Sequence, residues 1–245
     1  MGSGFYASLT GLMTRFQALD LLAGNLANVS TTGYKAQTPF YAALDIAQGN
    51  QTPLNRAVND YGVLGGSMID RQPGSIQPTG NDLDLALRGP GFLVVQTKAG
   101  LRYTRNGSLR LGPKGELLTQ AGDPVLGAKG LPIRLPQGQV AISPDGMISV
   151  DGTLVDRLQV ADFSSTAPLM AEGDSYYSAP AGQAQPDAHP EIVQRSLEAS
   201  NYSAVTGVVN LIALQRQAGL MQQALSIFYK TMDAAAAQEL PIVQP

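Results

Sequence analysis

Both ends of the chain carry large apolar residues at alternating spacings of four and three, and few patterns limit a fold as tightly. At the N-terminal end these are Phe5, Leu9, Leu12, Phe16, Leu19, Ala23 and Leu26. At the C-terminal end they are Leu211, Leu214, Ala218, Met221, Leu225, Phe228 and Met232. The alternation averages the period at which one stripe of a helix keeps facing a neighbouring helix. Residues 3–29 are expected to be helical and to stop near Val29-Ser30-Thr31-Thr32-Gly33, where small polar residues and a glycine favour a left-handed cap. The second helix is expected from about Ser203 to Gln238, with Pro241 preventing continuation. Val205, Val209 and Ile212 widen its apolar face at the start. Burying a Leu, Phe or Met contributes about 1.5–3 kcal/mol, so each stripe needs a cover. The two helices can supply it to each other, or they can also pack against other copies. The second reading is favoured by their charges, which are only Arg15 and Asp20 in one helix and Arg216, Lys230 and Asp233 in the other. The back of a solvated helix carries more.

Between the helices the period changes. Residues 36–75 are broken by Pro39, Pro53, Gly62, Gly65, Gly66 and Pro73 and read as an extended linker. From about residue 80 short strands follow. Phe92-Leu93-Val94-Val95 and Leu101-Arg102-Tyr103-Thr104 flank Lys98-Ala99-Gly100 as a hairpin. Leu109-Arg110-Leu111 and Glu116–Thr119 flank Gly112-Pro113-Lys114-Gly115. Asp145-Gly146 and Asp151-Gly152 separate three more strands. Turn signals at this density imply an antiparallel β domain. The fold class expected is therefore α+β: long N- and C-terminal helices packing as a coiled-coil-like module, an inserted antiparallel β domain and an extended linker. The segments are 1–35 (N-terminal helix), 36–75 (linker), 76–190 (β domain) and 191–245 (C-terminal helix).

Composition removes whole classes of function. Sixteen basic residues against nineteen acidic leave a net charge of −3, with no basic field for nucleic acid. There is no cysteine and a single histidine, His189, so thiolate chemistry, zinc–sulfur sites and a Ser-His-Asp triad have little to work with. No cofactor and no metal are expected, and no enzyme. No apolar run reaches the length of a membrane span, and the start lacks the basic-then-apolar order of a secretory signal. Asp82 and Asp84 are two apart, which would put both on one face of a strand. A paired-carboxylate site is imaginable there, but a solvated strand face is the simpler reading. Three Asn-x-Ser triplets read as chance matches, and Gly89-Pro90-Gly91 lacks the third glycine of a dinucleotide fingerprint.

Asn25-Leu26-Ala27-Asn28-Val29-Ser30-Thr31-Thr32-Gly33-Tyr34-Lys35 resembles the N-terminal signature of bacterial flagellar rod, hook and hook-associated axial proteins. Thr79–Leu87 with Gly89-Pro90-Gly91-Phe92, then Tyr103-Thr104-Arg105-Asn106-Gly107, and finally Leu197-Glu198-Ala199-Ser200-Asn201 are similar to further landmarks of that family, in order. The chain length and Gly130–Pro136 resemble a rod member, the proximal-rod type more than the distal-rod type. The resemblance implies a structural rod subunit, exported by the flagellar export apparatus without a cleaved signal. Such subunits assemble helically with copies of themselves and with neighbouring rod and hook proteins. They transmit torque through the periplasm as part of the basal body and line the export channel. Absent cysteines would avoid wrong disulfides there. The assembly interface is assigned to Leu9, Leu12, Phe16, Leu19, Asn25, Leu26, Asn28, Leu211, Leu214, Met221, Leu225 and Phe228. Asn25 and Asn28 are expected to bond backbone groups at the helix end. Each of the apolar positions could equally be an ordinary core position of one chain. Two other classes stand as alternatives: an oligomeric surface- or carbohydrate-binding β module, which the absence of tryptophan disfavours, and a carboxylate hydrolase.

Overall fold

The computed structural model describes residues 2–42, 63–173, 175–187 and 189–239. Two compact units are present. One comprises residues 1–24, 39–67 and 205–245, and the other residues 25–38 and 68–204.

The second unit is built from antiparallel strands. A six-stranded sheet runs in the order β13 (Met170–Glu172), β14 (Tyr176–Ser178), β6 (Gly100–Thr104), β5 (Phe92–Thr97), β12 (Val160–Asp162) and β15 (Gln185–Pro186). Its centre is the hairpin of β5 and β6, in which Thr97 pairs with Gly100 and leaves Lys98-Ala99 as a two-residue turn. The run Phe92-Leu93-Val94-Val95 has no polar alternate because both faces of β5 are covered. Leu93 and Val95 enter one apolar cluster with Leu85, Leu117, Val125, Ile133 and Ile148. Phe92 and Val94 enter another with Tyr103, Phe163 and Tyr177. The period-two geometry of a strand sends alternate side chains to opposite sides. In the second cluster the rings meet edge to face, Tyr103 with Phe163 at 4.7 Å and Phe92 with Tyr177 at 5.5 Å between centroids.

Smaller pairs complete the unit. β9 (Val140–Ile142), β10 (Met147–Val150) and β11 (Thr153–Arg157) form a three-stranded meander, and β7 (Leu109–Leu111) pairs with β8 (Leu117–Thr119). Two further pairs join segments distant in sequence. β3 (Ile76–Pro78) pairs with β17 (Ser196–Glu198), and β4 (Leu85–Arg88) pairs with β16 (Glu191–Gln194). The stretch leading to the C-terminal helix therefore runs back along the stretch that opens the β unit. β1 (Gln37–Ala42) and β2 (Val63–Ile69) form a separate two-stranded sheet, so the described ends of the expected linker are paired strands.

The helices are α1 (Gly2–Ala27) and α2 (Ala204–Glu239). The expected module of long helices packed as a coiled coil is corrected here. The described residues are β-rich, with seventeen strands against two helices, the N-terminal helix is the shorter of the two, and no coiled-coil seam is seen among them. Leu9 is 38% and Phe16 is 44% exposed. The buried positions of α1 before residue 25 are Gly11, Thr14 and Ala18, and those of α2 are Gly207 and Ala218, among the described residues. Knobs-into-holes packing needs a large side chain enclosed by four neighbours. Here small residues occupy the buried positions and large ones stand out. Apolar spacing identifies which face is sticky, and it does not require the same chain to cover it.

The expectation that Asp82 and Asp84 share one face of a strand is also corrected. Asp82 lies in the turn before β4, and Asp84 forms an isolated antiparallel bridge to Ser108 just before that strand, so the two do not share a strand face. Asp84 is buried and accepts hydrogen bonds from Thr79 Oγ1 at 2.7 Å and Asn81 Nδ2 at 3.0 Å. Asp82 is ion-paired to Arg195 at 2.7 Å. Asp84 carries a turn, and the two are bonded to separate partners.

Candidate functional site

The family-like motifs are scattered over nearly two hundred residues of sequence, yet the fold gathers five of their polar side chains, Asn25, Lys35, Arg105, Glu198 and Asn201, into one junction. All of it lies within the β unit. Glu198, at the end of β17, is fully buried. One carboxylate oxygen accepts from Lys35 Nζ at 2.6 Å and from the Gly74 amide at 2.8 Å. The other accepts from Arg105 Nη1 at 3.1 Å. Both cationic side chains are about as buried as the carboxylate. Lys35 Nζ also donates to Gln72 O at 2.7 Å. Arg105 donates to the Leu87 and Gly89 carbonyls, and its guanidinium lies 5.0 Å from the Phe92 ring centroid. Two positive groups thus converge on one negative group.

Burial pulls the Lys35 ammonium below its ordinary value, and the bond to Glu198 opposes this. The Arg105 guanidinium is pulled down by the same cause and held up by the same partner. Buried ion pairs are seldom worth much against an apolar replacement, but removing one member costs about 3–5 kcal/mol because a charge is left without its partner.

Two asparagines flank this cluster. Asn25 is 1% exposed and brackets Gln37. Its Oδ1 accepts from the Gln37 amide at 2.8 Å and its Nδ2 donates to the Gln37 carbonyl at 2.7 Å. Tyr34 OH also donates to Oδ1, at 2.9 Å. Asn201 does the same from the other end. It accepts from the Ala36 amide at 2.8 Å and donates to Asp70 O and Gln72 O, both at 3.0 Å. Each primary amide bonds backbone groups of residues 36–37 as a strand neighbour would. Tyr177 OH accepts from the Lys35 amide at 2.9 Å, and burial pushes its phenol pKa up. Gly33 stands at φ +68, where a Cβ would run into the backbone of Arg105. Its amide donates to Glu198 O at 2.7 Å.

The structure distributes the sequence-derived candidates as follows. Asn25 enters the junction, bonding backbone twelve residues onward rather than at the helix end. Asn28 Oδ1 accepts from Thr31 Oγ1 at 2.9 Å, within the turn that follows α1. Leu12, Leu19, Leu26, Leu211, Leu214, Met221 and Leu225 are half-buried, and Leu9 and Phe16 are exposed. The side chain of Phe228 lies outside the described residues. His189 is an exposed loop residue. Lys35, Arg105, Glu198 and Asn201 were legible only as motif letters. The available signal was charge: only 14% of residues are charged, and each motif that reaches the junction's ion cluster brings one of them. Among the described residues no group of three His, Cys, Asp or Glu side chains is placed to hold a metal ion, and no helix is long and apolar enough to cross a membrane.

Two of the segments that meet at the junction, those carrying Lys35 and Arg105, fall within known families. Residues 5–35 match the family described as flagella basal body rod protein, and residues 86–150 match the flagellar hook protein FlgE/F/G D1 domain. The flagellar basal-body rod protein FlgF of Caulobacter vibrioides is 33% identical over 88% of this chain and 89% of its own length. FlgF of Escherichia coli is 30% identical over 92% and 94%. The chain belongs to the flagellar basal-body rod protein family. Within it the likeness runs to the FlgF type. The rod protein FlgG of Buchnera aphidicola is 27% identical over 86% of this chain. The proximal-rod resemblance read from the sequence agrees with this. The family is a structural one.

Proposed function

We infer that this chain, a structural subunit of the flagellar basal-body rod, polymerises through its terminal helices into an open helical assembly that transmits torque. Its assembly partners in the basal body are other rod and hook proteins. The reading is supported by the exposure of large apolar side chains along both helices. Met13 is 58%, Ile212 51%, Leu220 66% and Ile227 62% exposed. Apolar faces of this kind on a subunit of a larger assembly are contact surfaces, and a head-to-tail contact repeats into a helix when its rotation does not close. The interface assigned is Leu9, Leu12, Phe16, Leu19, Leu26, Leu211, Leu214, Met221, Leu225 and Phe228, with Asn28. Asn25 serves it from within the chain, since both of its amide atoms are already bonded there. The β module is proposed to span residues 76–190. Delivery through the flagellar export apparatus without a cleaved signal, and residence within the periplasm, complete the proposal.

The test is the double substitution Leu9→Ser and Phe16→Ser, two exposed positions of the assigned interface that lie outside the β unit. Cells carrying it as their only copy should lose swimming, and the purified chain should lose concentration-dependent growth in light scattering. Normal swimming and unchanged scattering would remove this face of α1 from the interface.

A further inference from the structure

We propose that Glu198 is a coupling latch, which makes the ordering of residues 25–38, residues 70–75 and the base of the C-terminal segment a single event. The inference concerns folding of the junction and does not rest on the rod reading.

Glu198 joins all three segments to the β module. Its carboxylate takes Lys35 from the first segment, the Gly74 amide from the second and Arg105 from the β6–β7 connection. Its own carbonyl takes the Gly33 amide. With Glu198 undocked, seating the other groups would bury two cations with no anion between them, at a cost that keeps such groups in water. Lys35 and Arg105 then stay hydrated, Asn201 has not reached Ala36, and the junction stays open. When Leu197–Asn201 docks, the charge is compensated in one step. α1 ends inside this junction at Ala27, and α2 begins three residues after Asn201. The latch therefore orders the residues that follow α1 and those that precede α2.

Native-state hydrogen exchange on the full chain tests it, using amides that do not bond the Glu198 side chain. These are Lys35 (to Tyr177 OH), Ala36 (to Asn201), Asp70 (to Ala36 O) and Ala199 (to Ser75 O). Glu198→Gln preserves shape and removes the charge. All four amides should exchange roughly tenfold or more faster, by similar factors. Leu117 and Val125, bonded inside the β module, should keep their protection. Lys35→Met leaves Arg105 paired to Glu198, so it should accelerate the same four amides together but less. It also provides the readout if Glu198→Gln does not fold. Acceleration confined to one segment would overturn the latch. Equal acceleration at Leu117 and Val125 would overturn it too, since the junction would then not be a separate cooperative unit.

Discussion

Replacing Asn25 by aspartate alters one atom and almost no volume, yet it should make stability depend on pH. In the native chain Nδ2 donates to Gln37 O at 2.7 Å, and Oδ1 accepts from Gln37 N at 2.8 Å and Tyr34 OH at 2.9 Å. In the ionised aspartate the donor becomes an oxygen facing a carbonyl oxygen with no proton between them. One hydrogen bond is lost, about 0.5–1.5 kcal/mol, and a buried carbonyl is left unsatisfied, about 1–3 kcal/mol. The two retained bonds gain charge assistance, which offsets the burial of the carboxylate itself. The net loss at neutral pH should be roughly 2–4 kcal/mol. Protonation restores a donor, because the acid O–H can bond Gln37 O as the amide did. The folded-state pKa of the introduced carboxyl is thereby raised above the unfolded value of about 3.9. The stabilisation from the protonated form is then fully present below that value and is lost as pH rises through the folded pKa. Urea unfolding followed by circular dichroism, with wild type and Asn25→Ala measured beside it, gives the comparison. Asn25→Asp should approach wild type near about pH 4 and fall well below it near about pH 7. Asn25→Ala loses all three bonds and should show no pH dependence beyond that of wild type. If Asn25→Asp follows the alanine variant at both pH values, or wild type at both, the donor role of Nδ2 is refuted.

Two further outcomes are expected. Gly33→Ala must hold an L-residue at φ +68 and also displace the Arg105 backbone. Gly80→Ala has a similar φ of +80 and open space around it. The Gly80 variant should lose about 1–2 kcal/mol and the Gly33 variant clearly more. Equal urea midpoints would mean that the Gly33–Arg105 approach yields freely. In alkali, burial raises Tyr103, Tyr177 and Tyr202 above their ordinary pKa and Tyr176 to about 12. Their contribution is complete below pH 10, the unfolded value, and for Tyr176 disappears as pH rises through about 12. Lys35, Arg71 and Arg105 run the other way, since their folded pKa values are lowered, the two arginines from an ordinary value above that of tyrosine. Urea midpoints should therefore fall above about pH 10, with tyrosinate absorbance appearing together with unfolding. Free titration of all the tyrosines before unfolding would contradict their burial.

Local chemistry was enough to place the hairpins, because a turn is decided by the few residues that make it. Lys98-Ala99 and Gly112–Gly115 lie between paired strands as their sequence requires. The apolar faces of the terminal helices were legible for the same reason: spacing along a helix is a property of one segment. What covers such a face is a property of two, and here the spacing misled, since the buried helical positions include Gly11, Thr14, Ala18, Gly207 and Ala218. The junction lay further out of reach. Glu198 stands 163 residues from Lys35 and 93 from Arg105 along the chain, and no periodicity relates them. Their motifs could be recognised as words, but their meeting depends on β17 pairing with β3 and on the β6–β7 connection reaching the same place. A lone buried charge is unfavourable wherever it stands in sequence, and only the closed fold decides which opposite charge relieves it.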